Sequence, residues 1–133
     1  MPKKILIVDP NKSTTTRVKR ALLKAGYDVS IIPTCTLALP RIIHRKPDLI
    51  LLEIDMGENE VPFYLLKQLQ ENPATEKIPV FFFSKRMDDK DILIAGIYKV
   101  KCYIIKPFRS KVLLDRIGEF FLKEAPLAST VLA

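Results

Sequence analysis

The sequence predicts an α/β fold in three layers, a doubly wound sheet of five parallel strands in the order 2-1-3-4-5 with helices on both faces. Short runs of branched and aromatic residues alternate with segments of helical periodicity, which is typical of a parallel sheet covered by helices. Most of these runs are apolar throughout, as strands buried on both faces are. Right-handed crossovers and the commonest strand order then place a site at the carboxyl ends of strands 1 and 3.

The predicted strands are recognised by their branched and aromatic side chains. They run over Ile5 to Val8, Tyr27 to Ile32, Leu49 to Ile54, Val80 to Phe83 and Cys102 to Ile105. Polar residues or prolines follow each run, so each strand has a clear place to end.

The first helix is predicted between strands 1 and 2. Apolar residues at the spacing of one helix face are Val18, Ala21, Leu22 and Ala25. Asn11 or Ser13 is the candidate N-cap, and Gly26 follows the end. The second helix is predicted from about Thr36 to Arg45, with Pro40 in its first turn because proline lacks an N–H.

The third and fifth helices carry continuous apolar stripes. The third ends at Asn72 and Pro73, because the residue before a proline avoids helical angles. The fifth runs from about Ser110 to Phe121. The stripes are Leu65, Leu66 and Leu69 in the third helix, and Leu113, Ile117, Phe120 and Phe121 in the fifth.

The fourth helix begins near Asp88 and Asp89, whose charges favour a helix N-terminus. Its apolar residues are Ile92, Leu93 and Ala95. Gly96 weakens the helix, since glycine loses more backbone freedom than other residues when it becomes helical.

One domain is expected from a length of 133 residues. We assign residues 1–124 to it and residues 125–133 to a C-terminal tail or the stub of a linker. With 48% hydrophobic and 28% charged residues, the composition is that of a soluble globular protein. No apolar run is long enough to cross a bilayer and nothing marks the chain for export, so we expect a cytoplasmic protein without membrane contact.

Charge, cysteine and histidine content exclude several classes of function. The 22 basic residues produce a net charge of +7 but are spread along the chain, and no aromatic platform for base stacking is evident, so direct nucleic-acid binding is not expected. Cys35 and Cys102 do not have the spacing of a disulfide framework or a zinc site, and the single histidine is His44. A lowered thiol pKa is conceivable only for Cys102, which Lys99 and Lys101 flank.

Polar side chains follow the predicted strands where a site is expected. They are Asp9 after strand 1, Glu53 and Asp55 around the end of strand 3, Ser84 after strand 4, and Lys106 with Pro107 after strand 5. Because the carboxyl ends of parallel strands meet at one edge of the sheet, we expect these residues to converge on one crevice. Carboxylates suit a divalent cation, and a hydroxyl and an ammonium group suit phosphate oxygens.

The chain resembles the receiver domain of response regulators, the CheY-like group of flavodoxin-like folds, over roughly residues 3–122. The matching stretches are KKILIVD at the start, GY at Gly26 and Tyr27, PDLILLE from Pro47 to Glu53, NPATEKIPVFFFS from Asn72 to Ser84, and YIIKPF from Tyr103 to Phe108. The resemblance implies two-component or phosphorelay signal transduction and not an enzyme.

Two departures from the family pattern bear on phosphorylation. The family closes strand 1 with two adjacent acidic residues, whereas here Pro10 follows Asp9. Glu53 stands where the family has its phospho-accepting aspartate. One extra methylene moves the carboxylate oxygen by about 1.5 Å, and a misplacement of about 1 Å can cost on the order of a hundredfold in rate. We therefore expect an atypical receiver, a pseudo-receiver, that acts through protein contacts without phosphorylation.

Metal binding should suffer from the same departures. We expect Mg²⁺ to bind weakly or not at all through Asp9, Glu53 and Asp55. In the family the position of Asp55 contributes its backbone oxygen, and the following loop, DMGENEVP, is one residue longer than usual.

The resemblance assigns the reading of a phosphoryl group to four residues. Ser84 matches the family's switch hydroxyl, Lys106 its lysine, and Tyr103 the aromatic residue whose rotamer reports the state of the site, with a cis bond before Pro107. Tyr103 is equally well interpreted as an ordinary half-buried aromatic. Glu53 either mimics a phosphate or only pairs with Lys106, and we favour the pairing.

Two alternative functions stay open. A receiver could still accept phosphate on Glu53 or Asp55. An unrelated flavodoxin-like protein could bind a nucleotide or flavin, although DPNKSTTT after strand 1 is not a Gly-rich phosphate loop and only its hydroxyls, Ser13 to Thr16, could hold an anion.

Partners are expected on the face formed by the fourth helix, the fifth strand and the fifth helix. In the family this face binds kinases or effectors and forms homodimers. Its basic residues would suit an acidic partner. They are Lys85, Arg86, Lys90, Lys99, Lys101, Arg109, Lys111 and Arg116.

Overall fold

The computed structural model describes residues 1–57 and 62–124 and contains one five-stranded parallel sheet. The strands are β1 (Lys4–Val8), β2 (Asp28–Ile32), β3 (Leu49–Leu52), β4 (Val80–Ser84) and β5 (Cys102–Ile105). Their order is β2-β1-β3-β4-β5, which confirms the predicted α/β topology. The predicted tail, residues 125–133, and residues 58–61 of the DMGENEVP loop lie outside the described residues.

The helices alternate with these strands as predicted. They are α1 (Lys12–Lys24), α2 (Ala38–Arg45), α3 (Pro62–Glu71), α4 (Asp89–Ile97) and α5 (Ser110–Lys123). α2 begins at Ala38 and not at Thr36, which leaves Pro40 in its first turn, where a missing N–H costs no hydrogen bond. α5 continues past Phe121 to Lys123.

The ends of α1 follow ordinary capping chemistry. Asn11, and not Ser13, is the N-cap, because its side-chain oxygen accepts a hydrogen bond of 3.0 Å from the Thr14 N–H. At the other end Ala25, which has the spacing of the same helix face, is an exposed C-cap, whereas Val18 and Leu22 are buried. Gly26 follows with a φ of 94°, the left-handed conformation that glycine adopts without strain.

The sheet separates two apolar cores. One core lies between the sheet and α2, α3 and α4, and the other between the sheet and α1 and α5. On β4, Phe82 belongs to the first core, whereas Phe81 and Phe83 belong to the second, because successive side chains of a strand point to opposite faces. Full burial of each such side chain stabilises the fold by roughly 1.5–3 kcal/mol.

α4 is attached to the sheet by few apolar side chains. Of the apolar residues named for this helix from the sequence, Ile92 and Leu93 are 50% and 65% exposed. The side facing the protein instead carries the buried carboxylate of Asp91, with Ile94 and Ala95 partly buried beside it. The reason is the capping box at the N-terminus, in which Asp88 and Asp91 each accept the other's backbone N–H and so turn Asp91 inward.

Within residues 1–57 and 62–124, no helix combines the length and the apolar character needed to cross a membrane.

Candidate functional site

A crevice opens at the carboxyl edge of the sheet. Of the predicted site residues, it is lined by Asp9, Glu53, Asp55, Lys106 and Pro107. Its other lining residues are Pro10, Asn11, Thr14, Arg17 and Lys85. The structure therefore brings together residues from the ends of β1, β3 and β5, as expected from the sheet topology.

The centre of the crevice is the ammonium group of Lys106. Its Nζ lies 2.6 Å from Oδ2 of Asp9 and 2.8 Å from Oε1 of Glu53. The side chains of Lys106 and Glu53 are each 8% exposed and that of Asp9 is 1% exposed, so the three charges are almost fully removed from water. Buried charges are tolerated when they are paired and hydrogen-bonded. One ammonium thus pairs with two carboxylates and offsets the charge of one of them. The centre of the Phe83 ring lies 4.5 Å from the same nitrogen.

The other carboxylate oxygens are bonded to backbone. Oδ1 of Asp9 accepts a hydrogen bond of 2.9 Å from the Asn11 N–H, and Oε2 of Glu53 accepts one of 2.9 Å from the Asp55 N–H. Asp55 itself is exposed. Glu53 is therefore held at both oxygens, between the ammonium on one side and the following loop on the other.

Ser84 and Tyr103 do not line the crevice but lie next to the loop that follows β4. Ser84 is fully buried, and its hydroxyl oxygen accepts a hydrogen bond of 3.1 Å from the Arg86 N–H. The Tyr103 hydroxyl donates to the carbonyl oxygen of Arg86, and its ring meets Phe82 edge-on at 5.5 Å. Burial raises the pKa of Tyr103 to about 12, so its hydroxyl keeps the proton that it donates. The peptide bond between Lys106 and Pro107 is cis, as the resemblance implied.

The sequence analysis missed an ion pair beside the crevice. Nε and one terminal nitrogen of Arg86 donate to the two carboxylate oxygens of Asp91, each at 3.0 Å, and Asp91 is 1% exposed. Burial by itself would raise the pKa of Asp91, but the hydrogen bonds from Arg86 and Asp88 and the charge of Arg86 bring it below the ordinary value. The spacing Asp88-x-x-Asp91 was a signal of the capping box, but nothing in it indicated the arginine.

Neither cysteine forms a disulfide within the described residues. Burial raises the pKa of Cys102 despite the charge of Arg116, so the neighbouring cations do not make this thiol reactive.

Residues 5–118 match the family description "Response regulator receiver domain". The chain belongs to the response regulator receiver family. Receiver domains are signalling modules of two-component systems that interact with kinases and effectors and are generally not enzymes. This membership replaces the alternative of an unrelated flavodoxin-like protein.

Two relatives illustrate the match in sequence. The transcriptional regulatory protein YvrH of Bacillus subtilis is 33% identical over 114 residues, which are 85% of this chain and 46% of that protein. The DNA-binding response regulator MtrA of Mycobacterium tuberculosis is 27% identical over 118 residues, which are 88% of this chain and 50% of that protein. The receiver chain thus spans about half the length of these relatives.

Solved structures show the same fold. A two-component response regulator from Clostridium difficile superimposes with a TM-score of 0.84 at 26% identity, over 93% of this chain and 99% of that one. A CheY-like receiver domain protein from Methanospirillum hungatei gives a TM-score of 0.82 at 24% identity, over 90% of this chain and 93% of that one.

Receiver domains generally bind Mg²⁺ at the phosphorylation site, and this crevice fits the ion poorly. Both oxygens of Asp9 and both oxygens of Glu53 already have hydrogen-bond partners. The Pro10 side chain has no oxygen that could bind the ion. Among residues 1–57 and 62–124, no three His, Cys, Asp or Glu side chains are grouped closely enough to hold a metal.

The face expected to bind partners carries apolar as well as basic residues. Four large apolar side chains on α4 and the loop before it are between 48% and 65% exposed, and we call them the α4 apolar surface: Met87, Ile92, Leu93 and Ile97. Ile105 on β5 and Val112 on α5 are exposed as well. Of the basic residues predicted here, Arg86 is bound to Asp91 and Lys111 to Asp115, the latter at 2.8 Å.

Proposed function

We propose that this receiver domain acts through protein contacts and is not controlled by phosphorylation at the crevice. The observation that carries the proposal is the position of Glu53, whose oxygens are held by Lys106 and by the Asp55 N–H. An acyl phosphate forms only if a carboxylate oxygen lies in line with the phosphoryl donor. A side chain that is one methylene longer than aspartate and is bonded at both oxygens is poorly placed for that attack.

Poor metal binding supports the same proposal. Phosphoryl transfer relies on a divalent cation to neutralise the charge that develops on the transferred group. With Pro10 in place of an acidic residue, and with Asp9 paired to Lys106, the crevice lacks the oxygen ligands that would attract the ion.

We propose that the partner is a kinase or effector that binds the face formed by α4, β5 and α5. The α4 apolar surface would supply the buried centre of the interface, and the surrounding lysines and arginines would favour an acidic rim on the partner. A homodimer through the same face is the alternative that a sedimentation experiment would reveal. We place the domain in the cytoplasm, a reducing compartment that suits two cysteines without a disulfide between them.

Intact-mass spectrometry after incubation with acetyl phosphate and Mg²⁺ tests the central statement. We expect no mass gain for the natural sequence and a gain of one phosphoryl group for Glu53→Asp. The double variant Pro10→Asp with Glu53→Asp restores both family acids and serves as the positive control. A hydroxylamine-sensitive phosphoryl group on the natural sequence would contradict the proposal and establish the alternative of phosphorylation at Glu53 or Asp55, which Asp55→Asn would distinguish.

A further inference from the structure

Arg86 is bonded to several elements of the fold at once. Its backbone N–H donates to the Ser84 hydroxyl at the end of β4, and its carbonyl oxygen accepts from the Tyr103 hydroxyl on β5. Its guanidinium binds the Asp91 carboxylate on α4 through two hydrogen bonds of 3.0 Å. The same guanidinium lies 5.9 Å from the centre of the Phe63 ring on α3. One residue between β4 and α4 therefore contacts two strands and two helices.

α4 has few apolar contacts that could hold it in place without Arg86. α3 buries Pro62, Leu65, Leu66 and Leu69, and α5 buries Leu113 and Ile117. On α4 the buried residue is Asp91, while Ile94 and Ala95 are only partly buried. Because apolar burial is what normally fixes a helix to its sheet, the position of α4 depends on the polar contact to an unusual degree.

The geometry of that contact determines direction as well as distance. A guanidinium is a planar group whose paired donors match the two oxygens of a carboxylate, so it fixes the orientation of both side chains. Asp91 is also held by the capping box, which ties its position to the first turn of α4. Movement of Arg86 would therefore move the start of the helix.

We propose that Arg86 is a positioning residue, which fixes α4 against β4 and β5 and so sets the shape of the α4 apolar surface to which a partner binds. The role in partner binding rests on the proposed function, whereas the role in holding α4 does not. Arg86 also contacts the Ser84 hydroxyl at the end of β4, the strand that pairs with β3.

Fluorine NMR of protein labelled with 3-fluorotyrosine reports this role directly. The chain contains 4 tyrosines, so the Tyr103→Phe variant assigns the Tyr103 signal by its disappearance. We expect one narrow Tyr103 signal in the natural protein. In Arg86→Ala that signal should shift and broaden, and amide hydrogen exchange in α4 should accelerate on the order of tenfold, while exchange in β1 and α1 stays unchanged.

Matched variants separate positioning from general loss of stability. Lys85→Ala removes an exposed neighbouring cation and should leave the Tyr103 signal and α4 exchange as they are. Arg86→Lys keeps the charge but not the paired donors, and should recover less than half of the protection of α4. If circular dichroism shows that Arg86→Ala does not fold, the same measurements on Arg86→Lys and Asp91→Asn decide the question.

An unchanged Tyr103 signal together with unchanged α4 exchange in Arg86→Ala would overturn the proposal. The same result in both Arg86→Lys and Asp91→Asn would overturn it if Arg86→Ala does not fold. The labelled protein needs no phosphoryl donor and no partner. A phosphoryl group found on the natural sequence would therefore reject the proposed function without touching this result, and a failure here would leave the mass experiment unaffected.

Discussion

The crevice around Lys106 and the contact between Arg86 and Asp91 solve different problems with the same kinds of charge. In the crevice, a single ammonium lies between two buried carboxylates and can be shared because it is a compact charge with three donors. In the contact, a guanidinium that is 40% exposed binds one buried carboxylate in a fixed plane. The ammonium therefore offsets part of the buried negative charge, whereas the guanidinium fixes the orientation of a helix.

Replacing Lys106 should have the largest effect on the free energy of unfolding, and it tests whether the crevice is a buried charge network. Lys106→Met leaves Asp9 and Glu53 buried without a counter-charge, which should lower the free energy of unfolding by about 3–5 kcal/mol. Urea denaturation followed by circular dichroism measures the loss. Adding Glu53→Gln to the same chain should restore part of it, because one of the two uncompensated charges is then removed. A loss under about 1 kcal/mol, the range of exposed pairs, would show that the crevice is not a buried charge network.

An effect of intermediate size is expected in how the Arg86–Asp91 contact changes the free energy of unfolding with pH. The folded-state pKa of Asp91 lies below the unfolded value of about 3.9. Its contribution is therefore present above about pH 4 and is lost as the pH falls through the lower folded value. The difference in unfolding free energy between the natural protein and Asp91→Asn should shrink as the pH falls below about 4.

Denaturant titrations at several pH values check that difference. Asp115→Asn, which alters an exposed pair with Lys111, is the control and should show little such dependence. A constant difference between the natural protein and Asp91→Asn across the range would contradict a charged Asp91 in the folded state.

A substitution in α4 should have the smallest effect on the free energy of unfolding, and it tests whether α4 behaves as an ordinary helix. Gly96 is exposed, and a Cβ added there would meet nothing within 4 Å. Gly96→Ala should raise the free energy of unfolding by about 0.4–1 kcal/mol, because it reduces the freedom of the unfolded chain. Gly26→Ala is the matched control and should destabilise the fold, since Gly26 has a φ of +94°. Thermal unfolding of both variants measures the signs, and a destabilised Gly96→Ala would mean that α4 does not behave as an ordinary helix.

Much of the fold was predictable because each strand and most helices carry an unambiguous pattern. The apolar runs that became β1, β3 and β4 have no polar interruption, and Leu113 and Ile117 mark one side of α5. The buried side of α4 could not be predicted in the same way. Its sequence, DKDILIAGI, has apolar residues in succession, so periodicity does not say which side faces the protein.

The candidate site was predictable in part, because five of the predicted residues line the crevice whereas Ser84 and Tyr103 do not. The topology brings Asp9, Glu53 and Lys106 together, and pairing of Glu53 with Lys106 was the favoured interpretation. That Lys106 also binds Asp9, and that Arg86 reaches Asp91, depends on side-chain distances that no local pattern encodes. The signalling roles of Glu53, Ser84 and Tyr103 stay predictions.

The division of the interior by the sheet has a consequence for how the sequence can change. Phe82 and Phe83 are neighbours in the chain but pack in separate cores. Substitution costs in the two cores should be close to additive where the two sites lie more than about 7–10 Å apart. The layer of α2, α3 and α4 can accordingly accumulate substitutions that suit a new partner, while the layer of α1 and α5 keeps the protein folded.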